Sequence, residues 1–325
     1  MEDSIMLHTS KDIFKSANKE TSDSLGIRDF FIEKDYWISM VLKRLSKSKY
    51  SDSVVFKGGT SLSKGFRLIN RFSEDVDLAI LKTSEMSGNQ LKTLIRNVEK
   101  EITQDLEEIK VKGTTSKGSR FRKSVYLFPE IQKMKSKESS SNSIIVEINS
   151  FANPYPYIKV SIQSMIGEYL QINNQNDIIK KFGLEAFKIN VLDKNQTMIE
   201  KLVSLIRFSF SENPIGSISS KIRHFYDLYF LMNDSEFKIY FNSDKFLIDF
   251  KEVLEHDRKI FNEPPGWNKN QLKDSPLIND FDNLWSKLKK VYYKELSMLA
   301  FTEIPKESDI ARNFRRVISV LDVLE

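Results

Sequence analysis

Two glycines followed by two hydroxyl residues, and two aspartates one residue apart, are the residues of this sequence best suited to bind phosphate and metal. They stand in the runs Phe56-Lys57-Gly58-Gly59-Thr60-Ser61-Leu62-Ser63-Lys64 and Arg71-Phe72-Ser73-Glu74-Asp75-Val76-Asp77-Leu78. Glycines at the start of a helix leave backbone N–H groups unhindered, and the positive end of the helix dipole favours an anion there. Residues two apart in a strand project from one face, so Asp75 and Asp77 would lie side by side. Their carboxylates repel each other unless a divalent cation lies between them and the phosphates.

Each half of this pattern also has a simple structural explanation. Gly58-Gly59 could form only a tight turn, and the two aspartates could end a strand in solvent. Together, the glycine and hydroxyl turn, the helix and the aspartate pair favour a phosphate-binding turn beside a metal site. We therefore predict that the nucleotide is bound by Gly58, Gly59, Thr60, Ser61 and Lys64. For Lys64, as for Lys57, a purely structural role is the alternative.

A third carboxylate is needed by many enzymes that transfer phosphoryl groups with two metals, either to bind the second metal or to take a proton from the attacking hydroxyl. The stretch from Ser143 to Phe151 alternates like a strand, with Ile144, Val146 and Ile148 on one face and Glu147 on the other. We predict that Glu147 meets Asp75 and Asp77 across the sheet as a catalytic residue and metal ligand. The alternative is a glutamate on a solvent-exposed face.

Composition limits the kind of metal. The 325 residues include no cysteine and only three histidines, His8, His224 and His256, in scattered contexts. Disulfides, thiolate nucleophiles and cysteine-ligated metals are therefore excluded, and a multi-histidine site is not expected. A hard cation bound by carboxylates remains, with Mg²⁺ (or Mn²⁺) as the natural candidate.

Charge and hydropathy say less about partners. The 50 Lys and Arg against 45 Asp and Glu leave a net charge of +5, which suits a protein that meets nucleotides or RNA but also an ordinary soluble protein. No window approaches the roughly 18 uninterrupted apolar residues of a membrane span. We expect a cytoplasmic protein with no membrane partner.

The pattern along the chain predicts an α/β protein of two domains. Short β-rich runs at 54–56, 75–81 and 143–151 alternate with helical patterns, including a long helix from Gln90 to Ile109, which predicts a mixed sheet with helices. After about Asn190 the pattern is almost wholly helical. We place an N-terminal α/β domain, which carries the predicted phosphate and metal residues, at residues 1–160 and a mostly helical C-terminal domain, which would close the active-site cleft, at 161–325.

The glycine and aspartate runs resemble the first motif of the AbiEii/AbiGii-type toxin nucleotidyltransferases, members of the DNA polymerase β-like superfamily. Further resemblances to that family are Glu33-Lys34-Asp35-Tyr36-Trp37 in its N-terminal helix, and Ile199-Glu200-Lys201-Leu202 and Arg223-His224-Phe225-Tyr226-Asp227-Leu228 in its later motifs. The resemblance spans about residues 29 to 232, and the first motif is the specific one.

The resemblance implies a bilobed fold with nucleoside triphosphate and magnesium as cofactors. The nucleotide would pass to an acceptor that in some relatives is the end of tRNA. It also implies a toxin that blocks growth, often in phage defence by abortive infection, encoded beside its antitoxin. The chain departs in its third acid, a glutamate where aspartate is also usual, and its basic residues cannot be matched to the family's tRNA-binding surface.

The later motifs imply that Lys201 and Asp227 belong to the active site. Lys201 would bind the triphosphate and offset the charge that develops on the leaving pyrophosphate. Both residues fall off the apolar stripes of their helices, which also fits a surface lysine and an i,i+4 pair between Arg223 and Asp227.

Two other functions remain open. A phosphotransferase of the same fold would pass on the γ-phosphate, and a non-catalytic relative would only bind RNA or a partner protein. The intact Gly59, Asp75 and Asp77 favour an enzyme.

Overall fold

The computed structural model describes residues 5–82, 86–131 and 142–322. The chain forms two compact units. The first comprises Met1–Phe66 and Phe72–Leu192, and the second comprises Arg67–Arg71 and Asp193–Glu325. The short segment Arg67–Arg71 therefore belongs to the second unit, although in sequence it lies between the glycine turn and the aspartate pair.

A mixed sheet forms the centre of the first unit. Its strands are β1 (Val54–Lys57), β2 (Asp75–Ile80), β3 (Glu107–Ile109), β4 (Ser116–Lys117), β5 (Phe121–Leu127), β6 (Ser143–Asn149), β7 (Tyr157–Ile162) and β8 (Phe187–Leu192). They lie in the order β3-β5-β6-β2-β1-β8-β7, with β4 paired to β5. β2 is parallel to β6 and β1 is parallel to β8, whereas the other neighbours are antiparallel. The predicted mixed sheet is confirmed.

The helices of the first unit are α1 (Lys11–Leu25), α2 (Asp29–Lys47), α3 (Gly58–Lys64), α4 (Gly88–Ile102), α5 (Met165–Ile172) and α6 (Asn176–Phe182). One face of β5 points to α4, because Arg122 and Ser124 both donate to the carboxylate of Glu99 on that helix. Since side chains alternate along a strand, the neighbouring Lys123 projects from the opposite face. This opposite face carries the charged residues of the candidate site.

Three consecutive charged residues are buried in α2, and each reaches a different segment. Glu33 accepts from the N–H of Ile131, and Lys34 pairs with the carboxylate of Glu74. Asp35 pairs with Lys64 and accepts from the N–H of Met165. Buried charges of this kind are stable only when paired, so α2 fixes the position of α3 and of the residue that precedes β2.

Glu33→Gln should remove a pH dependence of stability that this buried carboxyl imposes. Burial is the main cause that raises the pKa of Glu33 to about 7, the N–H of Ile131 opposes it, and Glu130 and Asp29 add to it. Between the unfolded pKa and about 7 the native state binds more protons, so this contribution is full at low pH and is lost as pH rises through that window. The full loss is about 3 kcal/mol.

Urea unfolding of wild type and Glu33→Gln at pH 5 and pH 8 measures this effect. Gln keeps an oxygen that can accept the Ile131 N–H. We expect the unfolding free energy of the variant, relative to that of wild type, to increase from pH 5 to pH 8. An equal change in the unfolding free energy of the two proteins would contradict the assignment.

The second unit is helical. Its helices are α7 (Lys194–Ser209), α8 (Pro214–Ser219), α9 (Arg223–Asn233), α10 (Ser235–Phe241), α11 (Asp244–Ile260), α12 (Pro276–Asn279), α13 (Phe281–Leu299) and α14 (Glu307–Leu321). Phe225 of α9 packs on Trp285 of α13 and Phe314 of α14, with ring centroids 5.1 and 4.9 Å away. Two backbone contacts hold the segment Arg67–Arg71 in this unit. They are the β-bridge between Arg71 and Ala300 and the hydrogen bond from the Phe301 N–H to the Asn70 carbonyl. The mostly helical character expected of the C-terminal part is observed.

The structure differs from the sequence interpretation at two boundaries. The units divide after Leu192 and not after residue 160, because β7 and β8 still belong to the sheet. The helix expected over Gln90–Ile109 ends at Ile102, and Glu107–Ile109 pairs with β5. Asp105, with a φ of 68°, makes the turn that separates helix from strand.

Candidate active site

Four charged residues form one row across the sheet. Asp77 of β2 pairs in register with Lys57 of β1 on one side and Glu147 of β6 on the other, and Glu147 pairs with Lys123 of β5. Residues paired in register project from the same face. Asp75 lies two residues before Asp77 and therefore shares that face. The structure thus brings the three predicted carboxylates to one face of the sheet.

The charges of this face are not balanced once Asp75 is counted with the row. Burial, and then the negative charges of Glu147 and Asp75, raise the pKa of Asp77 to about 8, while Lys57 and Lys123 act against them. Burial lowers the pKa of Lys123, but the three carboxylates outweigh it and the net change is upward. The Lys123 Nζ lies 3.3 Å from the Glu147 Oε2. Three carboxylates against two lysines leave a face that would be stabilised by a further cation.

Two carboxylates such as Asp75 and Asp77 suit a magnesium ion, which does not need a site built from protein ligands alone. Among the described residues no group of three or more His, Asp or Glu could hold a metal on its own. Mg²⁺ is usually bound by one or two carboxylates and completes its shell with water and substrate phosphates. Burial and the neighbouring carboxylates disfavour the ionised form of Asp77, and a cation beside it would offset both effects.

Gly58 makes room for Asp77. Its φ is +83°, and a Cβ at this position would lie 2.1 Å from the Asp77 Oδ2. Such a distance is impossible, so any side chain here would displace the carboxylate. From sequence, Gly58 was expected only to open backbone N–H groups to phosphate, and the close approach of Asp77 is an additional reason for glycine.

Gly58→Ala should therefore cost both activity and stability. The left-handed φ alone costs an alanine about 1–2 kcal/mol, and the displaced Asp77 would add to this. Gly26→Ala is the matched control, because Gly26 also has a positive φ, +66°, but nothing lies within 4 Å of its added Cβ. We expect Gly26→Ala to lower the free energy of unfolding without loss of nucleotide transfer. Normal transfer by Gly58→Ala would contradict the contact.

The hydroxyls of the turn are engaged with the backbone. The Thr60 Oγ1 donates to the carbonyl of Asp75 and ties α3 to β2, and the Ser61 Oγ donates to the carbonyl of Gly58 at 2.8 Å. Both residues are buried, and Ser61 has no exposed surface. In this arrangement they shape the turn, and contact with phosphate by either hydroxyl stays a prediction.

Lys64 is likewise engaged. Its ammonium group pairs with Asp35 of α2, and the two side chains are only 7% and 3% exposed. Phosphate binding by Lys64 stays a prediction, and in this structure the side chain anchors α3 on α2.

Lys34 is also part of the site, although its sequence context predicted no role for it. Its side chain is 2% exposed, and its Nζ lies 3.4 Å from the Glu74 Oε2, directly before the aspartate pair. Burial lowers the pKa of Lys34, while Glu74 and then Asp75 oppose this. Lys34 lies within the almost wholly buried stretch from Phe31 to Leu42, and a lysine in such a stretch is the feature that could have pointed to it.

Lys201 and Asp227 come together in the second unit. Asp227 accepts from the Arg71 Nε and Nη2, both at 2.7 Å, and from the Lys201 Nζ at 2.8 Å. Its side chain is 0% exposed and that of Lys201 is 7% exposed. Arg71 and, next, Lys201 outweigh the effect of burial and hold the pKa of Asp227 well below its usual range.

Both residues are thus buried, although their position off the apolar stripes suggested exposure. Arg71 and Lys201 take the place of Arg223, which makes no ion pair with Asp227 among the described residues. The partner that could not be foreseen was Arg71, which is far from Asp227 in sequence. Its guanidinium binds the carboxylate through two parallel hydrogen bonds, the strongest geometry for this pair.

No helix among the residues that the structure describes is long and apolar enough to cross a membrane.

Comparison with known proteins identifies the family. No curated protein matches the chain. A solved structure with 15% sequence identity, MenT4, a nucleotidyltransferase toxin from Mycobacterium tuberculosis, aligns over 94% of this chain and 98% of its own with a TM-score of 0.47. The sequence profile of the nucleotidyl transferase AbiEii toxins of type IV toxin–antitoxin systems matches residues 41–312, which is more than half of the chain. The chain therefore belongs to the AbiEii family of nucleotidyltransferase toxins.

Proposed function

We propose that this nucleotidyltransferase uses Mg²⁺ (or Mn²⁺) to transfer a nucleotide from a nucleoside triphosphate to a hydroxyl at the end of tRNA. The observation that carries the proposal is the row in which Asp77 and Glu147 pair in register, with Asp75 on the same face and Gly58 against Asp77. A structural strand end has no need of three carboxylates on one face, one of them with a raised pKa.

Each carboxylate has a distinct task in this proposal. Asp75 and Asp77 would hold the metal, which would neutralise charge on the transferred phosphate. Glu147 lies beside Asp77 and is held by Lys123, so it would help bind a second metal or take the proton of the attacking hydroxyl. The turn at Gly58 and Gly59 would present backbone N–H groups to phosphate.

Lys201 and Asp227 remain proposed catalytic residues. Both Lys201 and Arg71 bind the carboxylate of Asp227, so this carboxylate is shared between two cations. A lysine held in this way can also attract an anion such as a triphosphate. Asp227 would act as the positioning residue that holds the Lys201 ammonium.

The family supports a proposal for the biological role. A type IV toxin implies a cognate antitoxin, and we propose that the pair acts in phage defence. The nucleoside triphosphate and tRNA that the reaction needs are both found in the cytoplasm, which is where we propose that it takes place.

Incubation with each α-³²P-labelled nucleoside triphosphate, magnesium and total tRNA tests the proposal. We expect one or more of the four nucleotides to label tRNA, and EDTA to abolish the labelling. Label transferred only from γ-³²P would identify a phosphotransferase, and no transfer from either label to tRNA or any other cellular RNA would refute the proposal.

A further inference from the structure

A strongly basic segment links β3 to β5. It lies at the end of the row of Lys57, Asp77, Glu147 and Lys123, which together with Asp75 we call the carboxylate row. Residues 110–123 contain six cations and no acid, although the whole chain is almost balanced at 50 Lys and Arg against 45 Asp and Glu. The cations are Lys110, Lys112, Lys117, Arg120, Arg122 and Lys123. We call residues 110–120 of this segment the basic lobe.

Half of these cations are already paired. Lys117 binds Glu108 at 2.5 Å, Arg122 binds Glu99 at 2.5 Å, and Lys123 lies 3.3 Å from Glu147. Lys110, Lys112 and Arg120 are exposed and make no ion pair within the described ranges. The lobe therefore presents three uncompensated positive charges to solvent.

The backbone of the lobe is ordered by its own hydrogen bonds. The N–H groups of Thr114 and Thr115 both donate to the carbonyl of Val111, and Gly113 makes the turn with a φ of +83°. The N–H of Gly118 donates to the carbonyl of Phe121 at 2.7 Å. Lys110 and Lys112 therefore lie at the first of these turns, and Arg120 lies in the second, between Gly118 and Phe121.

The register of the strands places the lobe beside the candidate site. Ser116 of β4 pairs with Lys123, so the row of Lys57, Asp77, Glu147 and Lys123 ends in the lobe. Arg120 lies directly before β5 and three residues before Lys123, which is at most about 10 Å of extended chain. A polyanion bound to the lobe would therefore have its nearest phosphates within a few nucleotides of the carboxylates.

We propose that the basic lobe binds the phosphate backbone of the acceptor RNA and delivers its end to the carboxylate row. The inference rests on the proposed function, because it names the surface for that function's acceptor. Lysine and arginine contacts to phosphate supply most of the sequence-independent affinity for nucleic acid, and they position a strand without reading its bases. Such a surface suits an enzyme whose acceptor must be placed by its end.

Neutralising the three cations tests this proposal. In the full chain, the triple variant Lys110→Gln/Lys112→Gln/Arg120→Gln is compared with Lys92→Gln/Arg96→Gln/Lys100→Gln. The control removes two lysines and one arginine that are exposed on α4, the helix on the other face of the sheet. Both variants change the net charge equally, so only the position of the charges differs.

Binding of total tRNA is measured between 50 and 200 mM KCl, and the KM values for tRNA and for nucleoside triphosphate are measured separately. We expect the lobe variant to bind tRNA at least ~10-fold more weakly at physiological salt and to lower the slope of log K against log salt by about 2 to 3. Its KM for tRNA should rise, with kcat and the KM for nucleoside triphosphate near wild type. The control should behave like wild type in all of these measurements.

Equal weakening in both triple variants would overturn the proposal, because net charge and not the lobe would then govern binding. Unchanged tRNA binding by the lobe variant would also overturn the proposal. The lobe would then be a candidate binding surface for another partner, such as a protein. If the wild type transfers nucleotide while the lobe variant keeps its KM for tRNA, the lobe fails and the proposed function stands. If tRNA binds through the lobe but is never labelled, the proposed function fails and the lobe stands.

Discussion

Asp77→Asn should reduce nucleotide transfer by at least ~10³-fold, because it removes a ligand of the proposed metal without changing the size of the side chain. Loss of a single preorganised electrostatic contact typically costs 10²- to 10³-fold, and a metal ligand contributes such a contact at the reacting phosphate. Asp52→Asn is the matched control, since Asp52 belongs to the same unit and is 83% exposed in its pair with Lys159. Transfer assays on both proteins, with magnesium and with EDTA, measure the effect.

Stability should change in the opposite direction to activity. Burial and the neighbouring carboxylates raise the pKa of Asp77, so the ionised native state is destabilised when no metal is bound. In EDTA at pH 8 we expect Asp77→Asn to melt at or above the temperature of wild type. Magnesium with nucleoside triphosphate should then raise the melting temperature of wild type but not of the variant. A variant that transfers nucleotide at a near-normal rate would end the assignment of a metal site.

The same variant separates enzymatic toxicity from other effects of expression. Wild type expressed without its antitoxin should slow bacterial growth, and Asp77→Asn should not. Equal growth inhibition by the two proteins would mean that the toxicity does not depend on nucleotide transfer.

The first unit follows closely from local sequence patterns. Strand alternation predicted the faces of β2 and β6, and the register places Asp77 directly beside Glu147 as those faces required. The Gly58-Gly59 turn predicted the end of β1. These features are local because period-two alternation and glycine turns are set by neighbouring residues.

The second unit could not be predicted to the same depth. Its Lys201 and Asp227 were recognised only by their motifs, and helical periodicity placed them off the apolar faces. A helix buried on several sides has no free polar face, so periodicity alone does not distinguish a buried ion pair from a solvated one. Arg71, the main partner of Asp227, comes from a segment 156 residues away in sequence, and no local pattern links the two.

Removing Asp227 should destabilise the protein far more than removing Lys201, because Asp227 binds two buried cations. Asp227→Asn would take from Arg71 and Lys201 the carboxylate that both of them bind, and breaking a buried ion pair by removing one partner typically costs 3–5 kcal/mol. Lys201→Met would leave the Arg71 and Asp227 pair, which is bidentate and neutral, so its unfolding free energy should fall by no more than about 1 kcal/mol. Asp282→Asn, at an exposed pair with Arg315, is the surface control and should cost at most ~1 kcal/mol.

Activity then decides what Lys201 does. If its charge stabilises the leaving pyrophosphate, Lys201→Met should transfer nucleotide ~10²-fold more slowly or worse while it remains folded, because stability and catalysis depend on different charges of the group. Unfolding by urea and transfer at a temperature where the variants are folded are measured on the same preparations. A Lys201→Met protein of normal activity would reduce Lys201 to a structural cation and would confine catalysis to the carboxylate row. An Asp227→Asn protein as stable as wild type would instead show that the buried ion pairs do not hold the second unit together.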